Sequence, residues 1–475
     1  MSRDFWVLEV PRICESNEAI WHAALGLASA HEAYFCRQEP RRKRHMAQTL
    51  KHLNASIRAL TVQDWSSRKS SWEALTASTM FSCTAMLSGR LDEAKLHFRS
   101  GCKLLQELEA DAATVQLVPE RSQLLGPISL TSIRSLLIGF EMVESKMDPN
   151  RVSVPPKLLA PEKQDNYSAW QRYILPTSPT VFGGYASSDS LSQATRAAES
   201  LFMTLVISAM AQATVLRKLY DEGGYDLLHS TPICEDPIAI LDSFKTLERA
   251  SSLFASELDA PEGPKMRPSE ATELRKAYIS LLILQISTRM LLRSDPDEPD
   301  PHRRLKSLPT QCSYLMDRCE EVLALETTVG CLRDGGPVAS SPLMNPIVYM
   351  VKTGFHKKTR DRAVQLLRKP RLEGVWDSCM SAALAGEMMM REAEASREYS
   401  KDPVLRDVHI DHPSARGWIP AASADDDEDE VHIVPLARIC NYTMVPLSAR
   451  EAILTLRTWK EWFEGSPGKN FYIQW

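Results

Sequence analysis

Two short motifs of this chain contain histidines at spacings that could support metal chemistry. "HEAYF" begins at His31 like a zinc-protease motif, but the second ligand position, four residues on, is Phe35. "HIDH" offers the imidazoles of His409 and His412 around a carboxylate, and Pro413 favours a loop there. We therefore assign no metal ligands and expect no cofactor.

The remaining reactive residue types also fail to form a recognisable catalytic site. Glu320 and Glu321 are adjacent on a predicted helix, so their carboxylates should point apart. The ten cysteines include no CxxC pair, and the closest two, Cys312 and Cys319, are seven positions apart. No nucleophile elbow, P-loop or dinucleotide fingerprint occurs. We assign no catalytic residues, and the sequence favours a protein that is not an enzyme.

A basic cluster occurs at Arg41, Arg42, Lys43 and Arg44. With a helix starting near Pro40, the residues Arg44, Lys51 and Arg58 recur every seven positions. They lie roughly opposite an apolar stripe, so they should be exposed. That stripe is Met46, Leu50, Leu53, Ile57 and Leu60. The favoured interpretation is a solvated helix face, followed by a nuclear-import signal and then by direct phosphate contact.

An acidic run has the opposite charge. It consists of Asp425, Asp426, Asp427, Glu428, Asp429 and Glu430. Blocks of like charge are mostly solvated loops, and an interaction loop is the functional alternative.

Composition restricts the class of protein. The 475 residues are 44% hydrophobic and carry a formal net charge of -5, so no global field attracts nucleic acid. The scattered cysteines fit a reducing compartment better than a disulfide framework. The longest apolar run, within 277–287, is too short to span a bilayer, so no membrane contact is expected.

Helical periodicity predicts an all-α fold, an irregular multi-helix bundle with helical hairpins that are TPR-like in places, and no significant sheet. A second stripe alternates steps of four and three through Leu87, Leu91, Ala94, Phe98, Gly101, Leu105 and Leu108. Its small residues, Ala94 and Gly101, should let a neighbouring helix approach closely. We expect a single domain over 1–475, with irregular segments at 152–190, 293–309 and 420–434.

Four segments, in the right order, resemble the regulatory domain of fungal Zn2Cys6 (C6 zinc finger) transcription factors. "FWVLEVPRICESNEAIWHAALGLASAHE" (5–32) is similar to the typical start, and "HLNASIRAL" (52–60) to an "xYNKAIRxL" helix. "SGRLDEAKLHFRSGCKLLQEL" (88–108) and "RDRAVQLLRKPRLEGVWDS" (360–378) resemble two further family motifs. The departures are the missing six-cysteine cluster and the altered turn "KTGFHKKT" (352–359).

The resemblance implies a nuclear, transcription-factor-like regulator of a metabolic gene set, present also in the cytoplasm. Without a zinc cluster it would pair with a zinc-cluster partner or another protein, sense a small molecule, or form a homodimer, with no direct DNA contact. The first alternative is a repurposed helical domain acting as an enzyme or small-molecule binder in secondary metabolite biosynthesis. The second is a protein-interaction scaffold.

Overall fold

The computed structural model is mostly helical, with one small sheet near the end of the chain. It describes residues 6, 9–36, 38–62, 68–114, 133–134, 136–137, 140, 188–228, 237–258, 268–292, 308–328, 343–353, 357–373, 376–410, 412–415 and 433–475. The predicted all-α class is confirmed. The segments 152–190, 293–309 and 420–434 lie almost wholly outside the described residues, although helices begin at Ser188 and Leu308.

The helices are numbered along the chain as α1 (Val10–Cys14), α2 (Glu18–Phe35), α3 (Glu39–Thr61), α4 (Arg68–Leu87), α5 (Leu91–Thr114), α6 (Ser188–Gly223), α7 (Pro237–Leu258), α8 (Pro268–Leu291), α9 (Leu308–Thr328), α10 (Met344–Thr353), α11 (Lys357–Leu367), α12 (Ser378–Tyr399), α13 (Pro403–Arg406) and α14 (Trp459–Phe463). The strands are β1 (Leu372–Glu373), β2 (Trp376–Asp377), β3 (Ile439–Ser448), β4 (Glu451–Thr458) and β5 (Lys469–Gln474).

Helices α4 and α5 form a predicted helical hairpin. Gly89 has a φ of 70°, and the backbone N–H of Arg90 donates to the carbonyl oxygen of Ala85 over 2.8 Å. A left-handed glycine with this bond ends α4 and reverses the chain. The centre of the predicted α5 stripe is buried as expected, at Ala94, Phe98, Gly101, Leu105 and Leu108. A Cβ on Gly101 would lie 3.5 Å from Leu137, an ordinary van der Waals distance, so Leu137 packs directly against this part of α5.

Helix α3 is rotated away from its predicted stripe. Its inward line is Thr49, Leu53, Ser56 and Leu60. Ser56 Oγ donates to the carbonyl oxygen of Ala19 over 2.6 Å, and Leu53 reaches within 3.4 Å of a Cβ placed on Gly26. Because small residues define the closest approach of α2 and α3, Leu50 and Ile57 are displaced to the rim and remain 48% and 43% exposed. Of the predicted apolar stripe, Leu53 and Leu60 therefore lie inward, whereas Leu50 and Ile57 do not.

The central helices are organised around α8, which packs against α6, α7 and α9. One apolar cluster fills the space between α6, α7 and α8, and a second joins α8 to α9, α10, α11 and α12. A buried amide connects two of these helices, since Gln285 Nε2 donates to the Leu247 carbonyl oxygen over 2.8 Å and to Ser251 Oγ over 2.6 Å. Helix α8 is therefore shared by both cores.

The main addition to the predicted fold is an antiparallel sheet of order β3-β4-β5. Along β4 the side chains alternate, so that Ala452, Leu454 and Leu456 are fully buried while the intervening residues face outward. The buried face of the sheet packs on α12, where it contacts the cluster that contains Leu384 and Met388. The sheet is small enough to leave the helical class unchanged.

Helix α14 anchors the sheet to the central helices. Thr458 and Glu461 form a capping box, and Trp462 Nε1 donates to the Ala213 carbonyl oxygen of α6 over 3.2 Å.

Within the described residues, no helix has the length and apolar character needed to cross a membrane.

Candidate functional site

The predicted basic cluster lies at the start of α3 and is exposed. Arg42 donates from Nη2 to Glu39 Oε2 over 2.6 Å, and Lys43 Nζ is 3.7 Å from Glu39 Oε1. The hydrogen bond from Arg42 lowers the pKa of Glu39. Arg41 and Arg44 extend the cluster, and all four residues are exposed. The predicted acidic loop, Asp425 to Glu430, lies outside the described residues.

Two histidines of these motifs, His31 and His412, pack against or hydrogen-bond to neighbouring protein groups. His31 is buried, and its ring packs 4.8 Å from that of Phe35, the residue that interrupts the zinc-protease pattern. His412 Nε2 is 2.8 Å from the Ala209 carbonyl oxygen, and its Nδ1 accepts from the Ser414 N–H over 3.1 Å. Both ring nitrogens of His412 therefore contact protein groups. Among the residues that the structure describes, no three side chains are grouped as metal ligands would be.

The adjacent carboxylates on α9 point apart, as the sequence indicates. Glu320 accepts from Arg362 Nε over 2.7 Å, and Glu321 accepts from Arg275 Nη2 over 2.9 Å. The hydrogen bond from Arg362 lowers the pKa of Glu320. The two carboxylates bind arginines of two different helices, α11 and α8, and do not form an acid–base pair.

A buried charge cluster, which sequence reasoning missed, is centred on Glu392 of α12. Arg360 of α11 donates to Glu392 Oε2 over 2.5 Å, and Arg438 donates to the same oxygen over 3.2 Å. The backbone N–H of Ile439 donates to Glu392 Oε1 over 2.9 Å. The side chains of the three charged residues are at most 5% exposed. One carboxylate thus joins α11, α12 and the start of β3.

Lys352 extends this cluster at the end of α10. Its carbonyl oxygen accepts from Arg438 Nη2, and its Nζ lies 6.0 Å from the ring centroid of Tyr442. Burial lowers the pKa of Lys352, with Cys440 and Glu392 opposing that shift. Burial also lowers the pKa of Arg438 to about 10. With Arg360 and Arg438, Lys352 brings the cluster to three basic side chains for one carboxylate, Glu392.

A second polar cluster, the Tyr34 junction, consists of Tyr34, Asp377, Arg450 and Trp475. Tyr34 OH donates to Asp377 Oδ2 over 2.6 Å and accepts from Trp475 Nε1 over 3.2 Å. Arg450 donates to the Tyr34 carbonyl oxygen over 2.7 Å, with its guanidinium 4.8 Å from the ring centroid. Burial, and then the Asp377 carboxylate, raise the pKa of Tyr34. The junction joins the end of α2 to α12 and the β3–β4 turn.

Only one residue of the Tyr34 junction has a sequence signal. Asp377 precedes α12 and accepts from the Met380 N–H over 2.9 Å, which is the behaviour of an N-cap residue. It belongs to the segment 360–378 that resembles a family motif. Its bond to Tyr34 joins positions 343 apart, and no local pattern predicts such a pair.

The comparisons with known proteins agree with the resemblance seen in the sequence. Residues 6–140 match the family model described as the fungal specific transcription factor domain. The match confirms the recognised family over this region, which contains α1 to α5 and is under a third of the chain. No curated protein and no solved structure matches the chain. The protein is thus mostly helical, and its residues 6–140 match the model of the fungal specific transcription factor domain.

Proposed function

We propose that this chain is a transcription-factor-like regulator that acts in the nucleus and controls or assists a metabolic gene set. The match over residues 6–140 is the observation that carries the proposal. The resemblance of 360–378 to a further family motif supports it, because Asp377 in that motif contacts Tyr34 in the matched region. The matched region and the segment 360–378 would then act together as one regulatory unit.

DNA recognition, in this proposal, comes from a zinc-cluster partner protein. The six-cysteine arrangement does not occur in the sequence, whose ten cysteines include no CxxC pair. The exposed cluster Arg41 to Arg44 supports entry into the nucleus, because an import receptor needs accessible basic side chains.

A tethering assay tests regulation directly. The full chain is fused to an unrelated DNA-binding domain in a fungal host, and transcript from a reporter with the matching operator is measured. A change that depends on the operator supports the proposal. Reporter transcript equal to that from the DNA-binding domain alone would contradict it.

Nuclear entry is tested separately with a fluorescent fusion. Replacing Arg41, Arg42, Lys43 and Arg44 by alanine should lower the nuclear-to-cytoplasmic ratio. Arg99→Ala with Lys103→Ala is the control, since both residues are exposed bases on α5. Equal ratios for the two variants would show that Arg41 to Arg44 do not direct import.

A further inference from the structure

The outward side of α3 carries two parallel rows of side chains, which together we term the α3 outer face. The apolar row is Leu50 and Ile57, and the basic row is Arg44, Lys51 and Arg58. Each row repeats every seven residues, or two turns, so its members are about 10 Å apart along the helix axis. The basic row lies about a third of a turn round the helix from the apolar row.

Both rows are available for contact. Leu50 is 48% exposed and Ile57 is 43% exposed, and all three bases are exposed as well. Their exposure follows from the packing of α3, whose inward line uses Ser56 against Ala19 and Leu53 against Gly26. An apolar row that repeats every seven residues supplies one of the two apolar positions of a heptad, which a partner helix with an apolar stripe can cover.

The charge of α3 indicates which class of partner can bind the α3 outer face. The helix contains six lysines and arginines and one acid, Glu39, a net charge of +5 from 6 − 1, in a chain of net charge -5. The same face of a second copy would place two such charges together, which opposes self-association through this surface. Nucleic acid would neutralise the basic row but would leave Leu50 and Ile57 without apolar contacts. An acidic helix with an apolar stripe satisfies both rows.

We propose that the α3 outer face is a docking site for an acidic amphipathic helix of a partner protein. The partner's apolar side chains cover Leu50 and Ile57, and its carboxylates contact Arg44, Lys51 and Arg58. This proposal rests on the geometry and charge of α3, not on the proposed regulatory function, so either can fail without the other.

The probe is a labelled synthetic peptide of three heptads, with leucine at a and d and glutamate at e and g, titrated with the full chain by fluorescence anisotropy. The wild-type chain should bind it. Leu50→Gln with Ile57→Gln should weaken binding about tenfold or more, because two apolar contacts are lost. Lys51→Glu with Arg58→Glu should weaken binding comparably and reduce its dependence on salt.

Matched controls lie on α5. Leu96→Gln removes an apolar side chain that is 63% exposed, and Lys103→Glu reverses a base that is 79% exposed. Both should leave peptide affinity unchanged, and a thermal midpoint equal to that of the wild type confirms folding of every variant. A peptide with lysine in place of glutamate should not bind.

Three results would overturn the proposal. One is no binding of the glutamate peptide, and another is equal affinity of all chain variants. The third is tight binding of a short random-sequence DNA duplex that is lost in Lys51→Glu with Arg58→Glu, while the Leu50 and Ile57 changes leave peptide binding unaltered. That last result would identify the face as a nucleic-acid surface.

Discussion

At the scale of single residues, Glu392 determines whether the buried charges of this protein are tolerated. It accepts from Arg360 and Arg438, and all three side chains are nearly inaccessible. Glu392→Gln keeps the shape but leaves both guanidinium groups without a counter-charge. Removal of one partner from a buried ion pair typically costs about 3–5 kcal/mol, and we expect a loss of that order in the free energy of unfolding measured in urea.

The control for Glu392 is two residues further along the same helix. Glu394 accepts from Lys469 Nζ over 2.7 Å, where both side chains are about half exposed, and also from Arg391 Nη1 over 3.3 Å. Glu394→Gln should therefore change the free energy of unfolding by about 1 kcal/mol or less. Equal losses for the two variants would show that the buried cluster contributes no more than a surface pair.

Lys352 gives the cluster a pH dependence of defined sign. Its pKa is lowered by burial from an ordinary value of 10.5, so the folded protein releases this proton at lower pH than the unfolded chain. The ammonium therefore opposes folding fully below the lowered pKa, and the opposition disappears as the pH rises to 10.5. Lys352→Met should be more stable than the wild type in acid, and the difference should shrink with rising pH.

Urea unfolding between about pH 6 and pH 10 tests the prediction for Lys352. Lys358→Met is the control, because Lys358 is exposed on the neighbouring helix α11. The free energy of unfolding of this variant is measured over the same pH range for comparison. A pH-independent difference for Lys352→Met would contradict the assigned direction of the pKa shift.

At the scale of elements, periodicity predicted the helices better than it predicted their faces. The α5 stripe is buried as expected, because its small members Ala94 and Gly101 coincide with the apolar line. In α3 the small residue at the helix contact is Ser56, which hydropathy counts as polar, so the inward line keeps Leu53 and Leu60 of the predicted stripe but is displaced toward Thr49 and Ser56. The buried ion pairs were not predictable either, since Glu392 and Arg438 are 46 positions apart.

The sheet was missed for reasons that are visible in its strands. Pro446 interrupts the pattern of β3, although an edge strand tolerates proline. The turn between β3 and β4 is Ala449 and Arg450, which lack the usual glycine or asparagine signal. The alternation in β4 is real, but outward-facing Ile453 makes it appear continuous with the buried residues.

Two glycines in these elements provide a matched test of how an added Cβ changes the stability of the protein. Gly468, before β5, has a φ of 84°, and a Cβ there would lie 2.5 Å from the Leu456 carbonyl oxygen. Gly468→Ala should destabilise the protein by about 1–3 kcal/mol. Gly386 lies within α12, and among the described residues no atom beyond its own stretch of helix lies within 4 Å of a Cβ there, so Gly386→Ala should stabilise by up to about 1 kcal/mol. Thermal unfolding measures both, and a stabilising Gly468→Ala would refute the close contact.

At the scale of the whole molecule, contacts distant in sequence join the family-matching region to the end of the chain. Tyr34 is bonded to Asp377, and its carbonyl oxygen accepts from Arg450. A Cβ on Gly89 would lie 3.2 Å from the backbone nitrogen of Ala449, so the α4–α5 turn also contacts the β3–β4 turn. These contacts support the expectation of a single domain, because a separate domain would have few contacts across its boundary.

Hydrogen exchange can test this expectation with Arg450→Ala, which removes the donor to the Tyr34 carbonyl oxygen. If the chain is one domain, amides at the end of α2 and in the β3–β4 turn should lose protection together, by about tenfold for about 1.4 kcal/mol. Arg406→Ala is the control, because that exposed arginine pairs only locally with the neighbouring Asp407 in the described structure. Faster exchange confined to the β3–β4 turn would instead mean that the family-matching region folds independently, since α2 would then retain its protection without the contact from Arg450.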